Sequence, residues 1–485
     1  MNKIYITLLS LFALAATSCN DFLDVRPSGE KVENDQFETS KGFESAIYGV
    51  YGYMTESAVY GKDMVWGVPE ILAQNLRGGS TAMEELGKYN YRNNESLRTT
   101  LLNMWSKSYS AIGYANNILQ NLEKKNPADF PLYNMYRGEM LAVRAMIHFD
   151  LLRLFAPTDL SKRGIPYVTT FSQTVKPFST VGQCYESIVN DLKEAESLLK
   201  NGETLTYPRN NERYEQFNNA RETHINLYAV QALLARVYWY FGNNTEAARY
   251  AGEVIESQLF PLVEPTEVQT HIAGVLSPKE TIFGLYSQNY LETSTSWLYT
   301  WQSYHTYSAY GDLGSVNYPQ SWQKLYNLDV AATTQDFRKN WIREGNSLSL
   351  CLKMVDYLTI ENGNSPARPS LISGISLINA SEMYLIAADA LLNTDYSRAL
   401  RYFNTEIVSR GLSPLTSDEQ LTSERIFNEY HKEMFGEGQH WYNMKRVKAD
   451  IISNAESRTI PASDNIYVLP IPEEEFEYRP GGNIQ

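Results

Sequence analysis

Residues 227–241 carry apolar side chains on two sides of the helix that their spacing predicts. One face holds Leu227, Val230, Leu234, Val237 and Phe241, and the other contains Ala229, Leu233 and Tyr240. A helix that is apolar on two sides packs between two neighbours. A Gly-Asn-Asn break follows, and a second helical pattern then occupies residues 245–257. The chain is therefore predicted to stack helix pairs in layers.

The same helical periodicity recurs along the chain. Apolar side chains three and four residues apart predict helices over residues 101–122 and 135–155, and a second helix pair over residues 381–392 and 396–408. Thr180 and Gln183 fit a capping box at the start of another helix. The pairs look like tetratricopeptide units, but they do not repeat at a strict period of about 34 residues.

Three long stretches, residues 61–94, 201–222 and 261–379, are predicted to be irregular. The longest contains two strand-like pieces, residues 281–286 and 350–355, between turn-rich segments. We predict a mainly α fold, in which tetratricopeptide-like helix pairs form an α-helical lobe with an inserted, irregular, loop-rich lobe that contains short strands. The predicted regions are an N-terminal helical region (19–260), the loop-rich lobe (261–379) and a C-terminal helical region (380–485).

The first 18 residues have the parts of an export signal. The basic Lys3 precedes an apolar run, and small residues lead to Cys19. A cysteine at this place resembles the lipobox of bacterial lipoproteins, so we predict a lipoprotein signal peptide over residues 1–18 and lipidation of Cys19. The alternative is a secreted protein with an incidental cysteine. Cys184 and Cys351 are expected to be two buried free thiols rather than a bridge.

Composition and motifs exclude several classes of function. A formal net charge of -14 disfavours binding to nucleic acid. The sequence has no HExxH, GxSxG, Walker A or dinucleotide motif. The six histidines show no ligand spacing, and nothing singles out a catalytic pair of carboxylates. The residues therefore give no indication of catalysis, of a cofactor or of a metal site, and a glycoside hydrolase stays open as the less favoured alternative.

Seven short stretches in the right order resemble the SusD-like (SusD/RagB) outer-membrane lipoproteins. They are the start at Cys19–Asp24 with Pro27; Trp105, Tyr109, Ile112, Ala115 and Asn116; Glu139, Arg144 and His148 to Arg153; Gly164–Tyr167; Ser381–Ala390; Gly436–Gln439; and Leu469–Pro472. The chain departs from the family at His440, where Arg is usual, and at Asn443, where Asp is usual. We expect a neutral hydrogen-bonded pair to replace an ion pair there.

This resemblance implies a function. Proteins of this kind have helical folds with tetratricopeptide-like pairs, sit lipid-anchored on the outer face of the cell outer membrane, and are not enzymes. Each works with a SusC-like TonB-dependent transporter, to which it delivers captured oligosaccharides. Some members take peptides instead, and that alternative stays open. The resemblance thus implies a surface-exposed glycan-binding lipoprotein in nutrient uptake.

Aromatic side chains beside polar groups are the candidate ligand site, because sugar rings have apolar faces and polar rims. The chain has 35 Tyr and 8 Trp, and residues 296–310 are its densest aromatic segment. The candidate ligand contacts in that segment are Trp297, Trp301, Tyr304 and Tyr307. A second candidate set, in a loop that faces the ligand site in the family, is Trp66, Asn75 and Arg77. The alternative for both sets is structural packing.

Overall fold

Helices make up most of the part of the chain that the computed structural model describes. That part comprises residues 35–76, 80–209, 216–267, 275–290, 293–294, 325–326, 336–344, 349–351, 353, 372–416, 420–453, 458–477 and 479. The chain divides into two units, residues 1–46 and residues 47–485. In the first unit, the Phe37 and Phe43 rings pack with their centroids 4.9 Å apart. All other contacts below lie in the second unit.

The described residues contain α-helices along most of the chain, with the longest interval between Glu256 and Ala380. These helices are α1 (Ser40–Met54), α2 (Val68–Leu72), α3 (Thr81–Gly87), α4 (Glu95–Leu122), α5 (Tyr133–Phe155), α6 (Val181–Leu199), α7 (Leu227–Tyr240), α8 (Asn244–Glu256), α9 (Ala380–Leu391), α10 (Tyr396–Ser409), α11 (Ser423–Glu433), α12 (Gln439–Val447), α13 (Asp464–Tyr467) and α14 (Glu474–Glu477). The mainly α fold class is thereby confirmed.

Polar side chains fix where several of these helices begin. The predicted capping box of α6 is present: Gln183 N donates to Thr180 Oγ1 at 3.1 Å, and Thr180 N donates to Gln183 Oε1 at 2.9 Å. Asn226 accepts from Ala229 N at 2.9 Å and so caps α7. These bonds satisfy backbone donors that a helix start leaves open.

Helices α4 to α10 pack mostly on their neighbours in the chain. Helix α5 lies against α4 and α6, and α7 contacts α5, α6, α8 and α9. Helix α5 is buried along nearly its whole length, and α7 is buried on both of its apolar faces. The two-sided packing predicted for residues 227–241 is therefore confirmed. Both predicted helix pairs, α7 with α8 and α9 with α10, are present.

The prediction that residues 61–94 are irregular is wrong. This stretch contains a π-helical turn (Asp63–Gly67) followed by α2 and α3. Each helix is short, so the periodicity in the sequence is too brief to reveal it. Burial stabilises them instead, because Trp66, Val68 and Leu72 have no exposed surface.

The strands form three two-stranded antiparallel sheets in the described part of the chain. Strand β1 (Thr281–Tyr286) pairs with β4 (Gly374–Asn379), β2 (Ile342–Glu344) with β3 (Ser349–Cys351), and β5 (Ile451–Ser453) with β6 (Arg458–Ile460). Thr281 lies opposite Asn379, so strands near both ends of the predicted 261–379 lobe meet. Of the strand predicted over residues 350–355, Leu350 and Cys351 lie in β3 and Lys353 lies in a turn, and the other three residues lie outside the described part of the chain. The lobe boundaries stay a prediction.

Cys184 is a buried free thiol, as predicted. Its Sγ donates to Ile165 O at 3.3 Å, and burial raises its pKa to about 11. The predictions for Cys19 and for the Cys351 thiol lie outside what the structure describes. Among the described helices, none is both long and apolar enough to cross a membrane. The described residues also contain no cluster of His, Cys, Asp or Glu that could hold a metal ion.

Candidate functional site

A groove of about 590 Å³ lies between α4, the segment 166–176 and three residues near the C-terminus, Glu474, Glu475 and Arg479. Its volume lies in the range of sites for small molecules, about 300–1,000 Å³. The residues that line it include aromatic, hydroxyl and charged side chains: Trp105, Ser106, Tyr109, Ser110, Gly113, Tyr114, Pro166, Val168, Phe171, Lys176, Glu474, Glu475 and Arg479. We call this feature the groove.

Helix α4 supplies the first wall. Trp105, Tyr109 and Gly113 are four residues apart, so they lie above one another on one helix face. The Trp105 and Tyr109 rings pack with centroids 5.0 Å apart. Tyr109 Oη donates to Pro166 O at 2.8 Å, which ties α4 to the second wall. Burial raises the pKa of Tyr109, and the Glu475 carboxylate adds to this, so the hydroxyl keeps its proton.

The segment 166–176 is the second wall, and its first residues are anchored to two helices. Asn116 Nδ2 on α4 donates to Val168 O at 2.9 Å. Val168 N donates to His148 Nε2 on α5 at 3.0 Å. The other ring nitrogen of His148, Nδ1, lies 2.8 Å from Arg144 O and must therefore carry the proton. Both ring nitrogens are occupied, so neutral His148 holds the wall in place.

A buried ion pair lies beneath this wall. Arg144 and Asp191 join α5 to α6, and Tyr167 Oη donates to Asp191 Oδ2 at 2.6 Å. The Tyr167 ring also stacks on His148, with ring centroids 4.0 Å apart. Burial alone would lower the pKa of Arg144, but Asp191 and Tyr167 outweigh it and raise the pKa above its ordinary value. The motif residues that the sequence singled out thus support the groove from below.

Glu474, Glu475 and Arg479 form the third wall. Trp105 Nε1 donates to Glu475 Oε2 at 2.8 Å, which joins α4 to this wall. Arg479 Nε donates to Glu475 Oε1 at 3.1 Å, and Arg479 Nη1 donates to Lys176 O. The Arg479 guanidinium also lies over the Phe178 ring, 4.4 Å from its centroid. One ion pair therefore links all three walls.

Two aromatic rings in the groove are about half exposed. Tyr114 is 46% exposed and Phe171 is 48% exposed. Phe171 lies near Gly113: a Cβ built there would be 3.9 Å from the ring. Hydroxyl groups of Ser106 and Ser110 lie on the same wall as Tyr114. Aromatic faces beside hydroxyl groups suit a ligand with apolar faces and a polar rim.

Residues 21–239 match the model of the SusD-like_3 family, described as "Starch-binding associating with outer membrane". This part of the chain is thus similar to the SusD-like family. The match includes α4, α5 and α6, and hence two of the three walls of the groove. Among curated proteins, no sequence matches significantly.

Solved structures extend the likeness to nearly the whole chain. A SusD superfamily protein from Bacteroides thetaiotaomicron is 22% identical with a TM-score of 0.72, and the match covers 91% of this chain and 98% of that one. A SusD-like carbohydrate binding protein from Bacteroides vulgatus is 18% identical (TM-score 0.69; 90% and 96% covered). A laminarin binding SusD-like protein is 20% identical (TM-score 0.61; 90% and 97% covered). At these identities the likeness shows the fold.

Two of the candidate ligand contacts predicted from sequence, Trp66 and Asn75, are described by the structure, and neither lines the groove. Trp66 is fully buried. Asn75 is also buried: its Nδ2 donates to Glu70 Oε2 at 2.8 Å, and its Oδ1 lies 2.6 Å from His431 Nε2. Both side chains therefore have packing roles here, and ligand contact by them stays a prediction. The remaining candidates lie outside the described residues: Arg77, Trp297, Trp301, Tyr304 and Tyr307.

Sequence reasoning did not single out Tyr114 or Phe171. The available signal for Tyr114 was a large aromatic side chain next to the apolar stripe of a predicted helix. Phe171 stands alone among polar residues, in a segment that has no periodicity to read. Only the bonds that anchor segment 166–176 bring the two rings to one groove.

The prediction that His440 and Asn443 form a neutral hydrogen-bonded pair is wrong. His440 stacks on His431, with ring centroids 3.7 Å apart and an interplanar angle of 2°. Asn443 Oδ1 instead accepts from Arg446 Nε at 3.1 Å. Both residues lie on α12, and the ring stack draws His440 toward α11 rather than along its own helix.

Proposed function

We propose that this protein is a surface-exposed SusD-like lipoprotein of the cell outer membrane, anchored through Cys19. It binds oligosaccharides and delivers them to a SusC-like TonB-dependent transporter. Support comes from the matching family, described as starch-binding and outer-membrane associated. Two proteins of the same fold are described as carbohydrate binding and as laminarin binding.

The observation that carries the proposal is the pair of exposed rings, Tyr114 and Phe171, in a groove edged by hydroxyl groups. A sugar ring stacks its apolar C–H face on an aromatic ring and turns its hydroxyl groups toward polar partners. The walls are cross-linked by hydrogen bonds and an ion pair, so the site is preformed and costs little ordering on binding.

The groove favours binding over hydrolysis. A glycosidase needs two carboxyl groups facing each other across the bond to be cleaved, one of them free to give a proton. Glu474 and Glu475 are the carboxylates in the groove lining. They are adjacent in one helical turn and so do not face each other. Glu475 is moreover engaged by Trp105 and Arg479. The proposed role is therefore capture without catalysis.

The test is titration calorimetry of the mature chain against a glycan panel that includes laminarin and maltooligosaccharides, with peptides as the competing class. Tyr114→Ala and Phe171→Ala are each expected to weaken glycan binding about tenfold, since a central aromatic contributes more than about 1 kcal/mol. Tyr286→Ala is the matched control, because Tyr286 is 51% exposed and lies on β1 outside the groove lining. Its affinity should be unchanged.

The same titrations separate the alternatives. If the double variant Trp297→Ala, Trp301→Ala loses binding while both groove variants keep it, the glycan site lies in the aromatic segment 296–310. Binding to peptides and to no glycan would contradict the proposal in favour of a peptide-binding protein. Shortened glycan products, lost on changing one carboxyl pair, would favour a hydrolase.

The anchor needs its own test. Cys19→Ala should move the protein from the outer-membrane fraction to the soluble fraction, because acyl chains hold a protein to the membrane by about 0.8 kcal/mol per buried methylene. The transporter gene should be deleted in the same strain, so that a partner cannot retain the variant. A Cys19→Ala protein that still pellets with outer membranes in that strain would contradict lipid anchoring.

A further inference from the structure

Arg479 lines the groove, and each of its three guanidinium nitrogens already has a partner within the protein. Its Nε donates to Glu475 Oε1 at 3.1 Å and to Glu475 O at 3.0 Å. Its Nη2 donates to the same carboxylate, and its Nη1 donates to Lys176 O. The Arg479 side chain is only 11% exposed. The guanidinium group, which otherwise binds carboxylates and sulfates readily, is therefore occupied from within the protein.

Both carboxylate oxygens of Glu475 also accept hydrogen bonds from within the protein. One carboxylate oxygen accepts from Trp105 Nε1 at 2.8 Å, and the other accepts from Arg479. The charged side chains in the groove lining are Lys176, Arg479, Glu474 and Glu475. Two positive and two negative groups cancel, so these side chains give the groove no net charge.

We infer that Glu475 determines the charge selectivity of the groove, making it a site for uncharged saccharides that rejects acidic ones. An acidic sugar could gain an ion pair with Arg479 only by displacing Glu475, and this would also leave Trp105 Nε1 without its acceptor. A neutral sugar leaves the ion pair intact and stacks on Tyr114 or Phe171. This inference rests on the proposed function and specifies the ligand class at the same groove.

Glu475→Gln tests this directly, since glutamine keeps an oxygen for Trp105 and removes the charge. The probes are laminarihexaose and maltohexaose, which are neutral, and hexagalacturonate, which is acidic. Wild type should bind the better neutral probe at least about tenfold more tightly than hexagalacturonate. Glu475→Gln should gain about tenfold in hexagalacturonate affinity and change its neutral-probe affinity less than about threefold. The gain should vanish at about 0.5 M NaCl, because salt screens the new ion pair.

Glu473→Gln is the matched control. Glu473 is exposed, precedes α14 and lies outside the groove lining, so the substitution changes total charge equally without touching Arg479. It should leave both affinities unchanged.

The outcomes separate the inference from the proposed function. Wild type that binds hexagalacturonate as tightly as a neutral probe would overturn the inference and leave glycan binding intact. So would a folded Glu475→Gln variant with an unchanged ratio of affinities, or an equal gain in Glu473→Gln. If the wild-type protein binds none of these three probes, the inference is overturned. If it also binds no glycan of the wider panel, the proposed function is overturned as well. Should Glu475→Gln not fold, the wild-type ratio alone still decides.

Discussion

Arg144 and Asp191 form a two-bond ion pair between α5 and α6. Arg144 Nε donates to Asp191 Oδ2, and Arg144 Nη2 donates to Asp191 Oδ1, both at 2.7 Å. Arg144 Nη1 reaches Asn116 Oδ1 on α4 at 2.9 Å. Three helices and the groove wall above them therefore meet at one guanidinium group, and the fold of the site depends on this buried pair.

Asp191→Ala should destabilise the protein strongly. It leaves Arg144 buried without a counter-ion and Tyr167 without an acceptor, and breaking a buried pair from one side costs about 3–5 kcal/mol. Arg137 and Glu194 join the same two helices at 2.8 Å but are 21% and 46% exposed. Glu194→Ala should therefore cost less than about 1 kcal/mol. Urea unfolding measures the free energy of unfolding of both variants. An equal loss in the two would contradict the role of burial in the strength of the Arg144–Asp191 pair.

His148 should make stability depend on pH. Burial lowers the pKa of His148 to about 3, from an ordinary value of about 6.5. Between these values the unfolded chain binds a proton that the folded chain does not, so the stabilising contribution of His148 is present above about pH 6.5 and is lost as pH falls. The difference in unfolding free energy between wild type and His148→Gln should therefore shrink by about 2 kcal/mol between about pH 7 and pH 5. A difference that stays constant would contradict a neutral buried imidazole.

Two helical glycines should respond oppositely to alanine. A Cβ on Gly113 would meet its nearest atom, in the Phe171 ring, at 3.9 Å, which is an ordinary contact. Gly113→Ala should therefore stabilise the protein by about 0.5–1 kcal/mol through helix propensity. A Cβ on Gly138 would lie 2.8 Å from Leu199 Cγ. Overpacking costs about 1–3 kcal/mol, so Gly138→Ala should be less stable than wild type. Thermal unfolding measures the change in stability of each variant. A change of the same sign in both would contradict the contacts at the two glycines.

Arg410 should not tolerate lysine. It donates through Nη1 and Nη2 to Glu280, both at 2.9 Å, and through Nε and Nη2 to Glu433 at 3.0 and 2.7 Å. The ammonium group of lysine cannot donate two hydrogen bonds to each of two carboxylates. Arg410→Lys should therefore lower the free energy of unfolding by at least about 2 kcal/mol. Arg249 pairs with Glu246 and Glu253 on the surface, with 41% of its side chain exposed. Arg249→Lys should stay within about 0.5 kcal/mol in the same urea assay.

Helices with a long apolar periodicity were predictable from the sequence. The pattern over residues 227–241 corresponds to α7 (Leu227–Tyr240), and the capping box at Thr180 marks the start of α6. Both features depend on residues three to seven positions apart, so they can be recognised from a short stretch of sequence without knowledge of distant partners. The motif residues from Glu139 to Arg153 were likewise visible as a resemblance, although their partners were not.

The short helices and the groove depended on tertiary structure. The helices in residues 61–94 have too few turns to show a period, and burial of residues such as Trp66 stabilises them. The groove joins Trp105 to Glu475, 370 positions away. Periodicity carries no information about such a distant partner, because bringing the two residues together depends on how every intervening element packs. The sequence alone thus determined the long periodic helices and the family resemblance, while tertiary packing stabilised the short helices and decided which side chains share a surface.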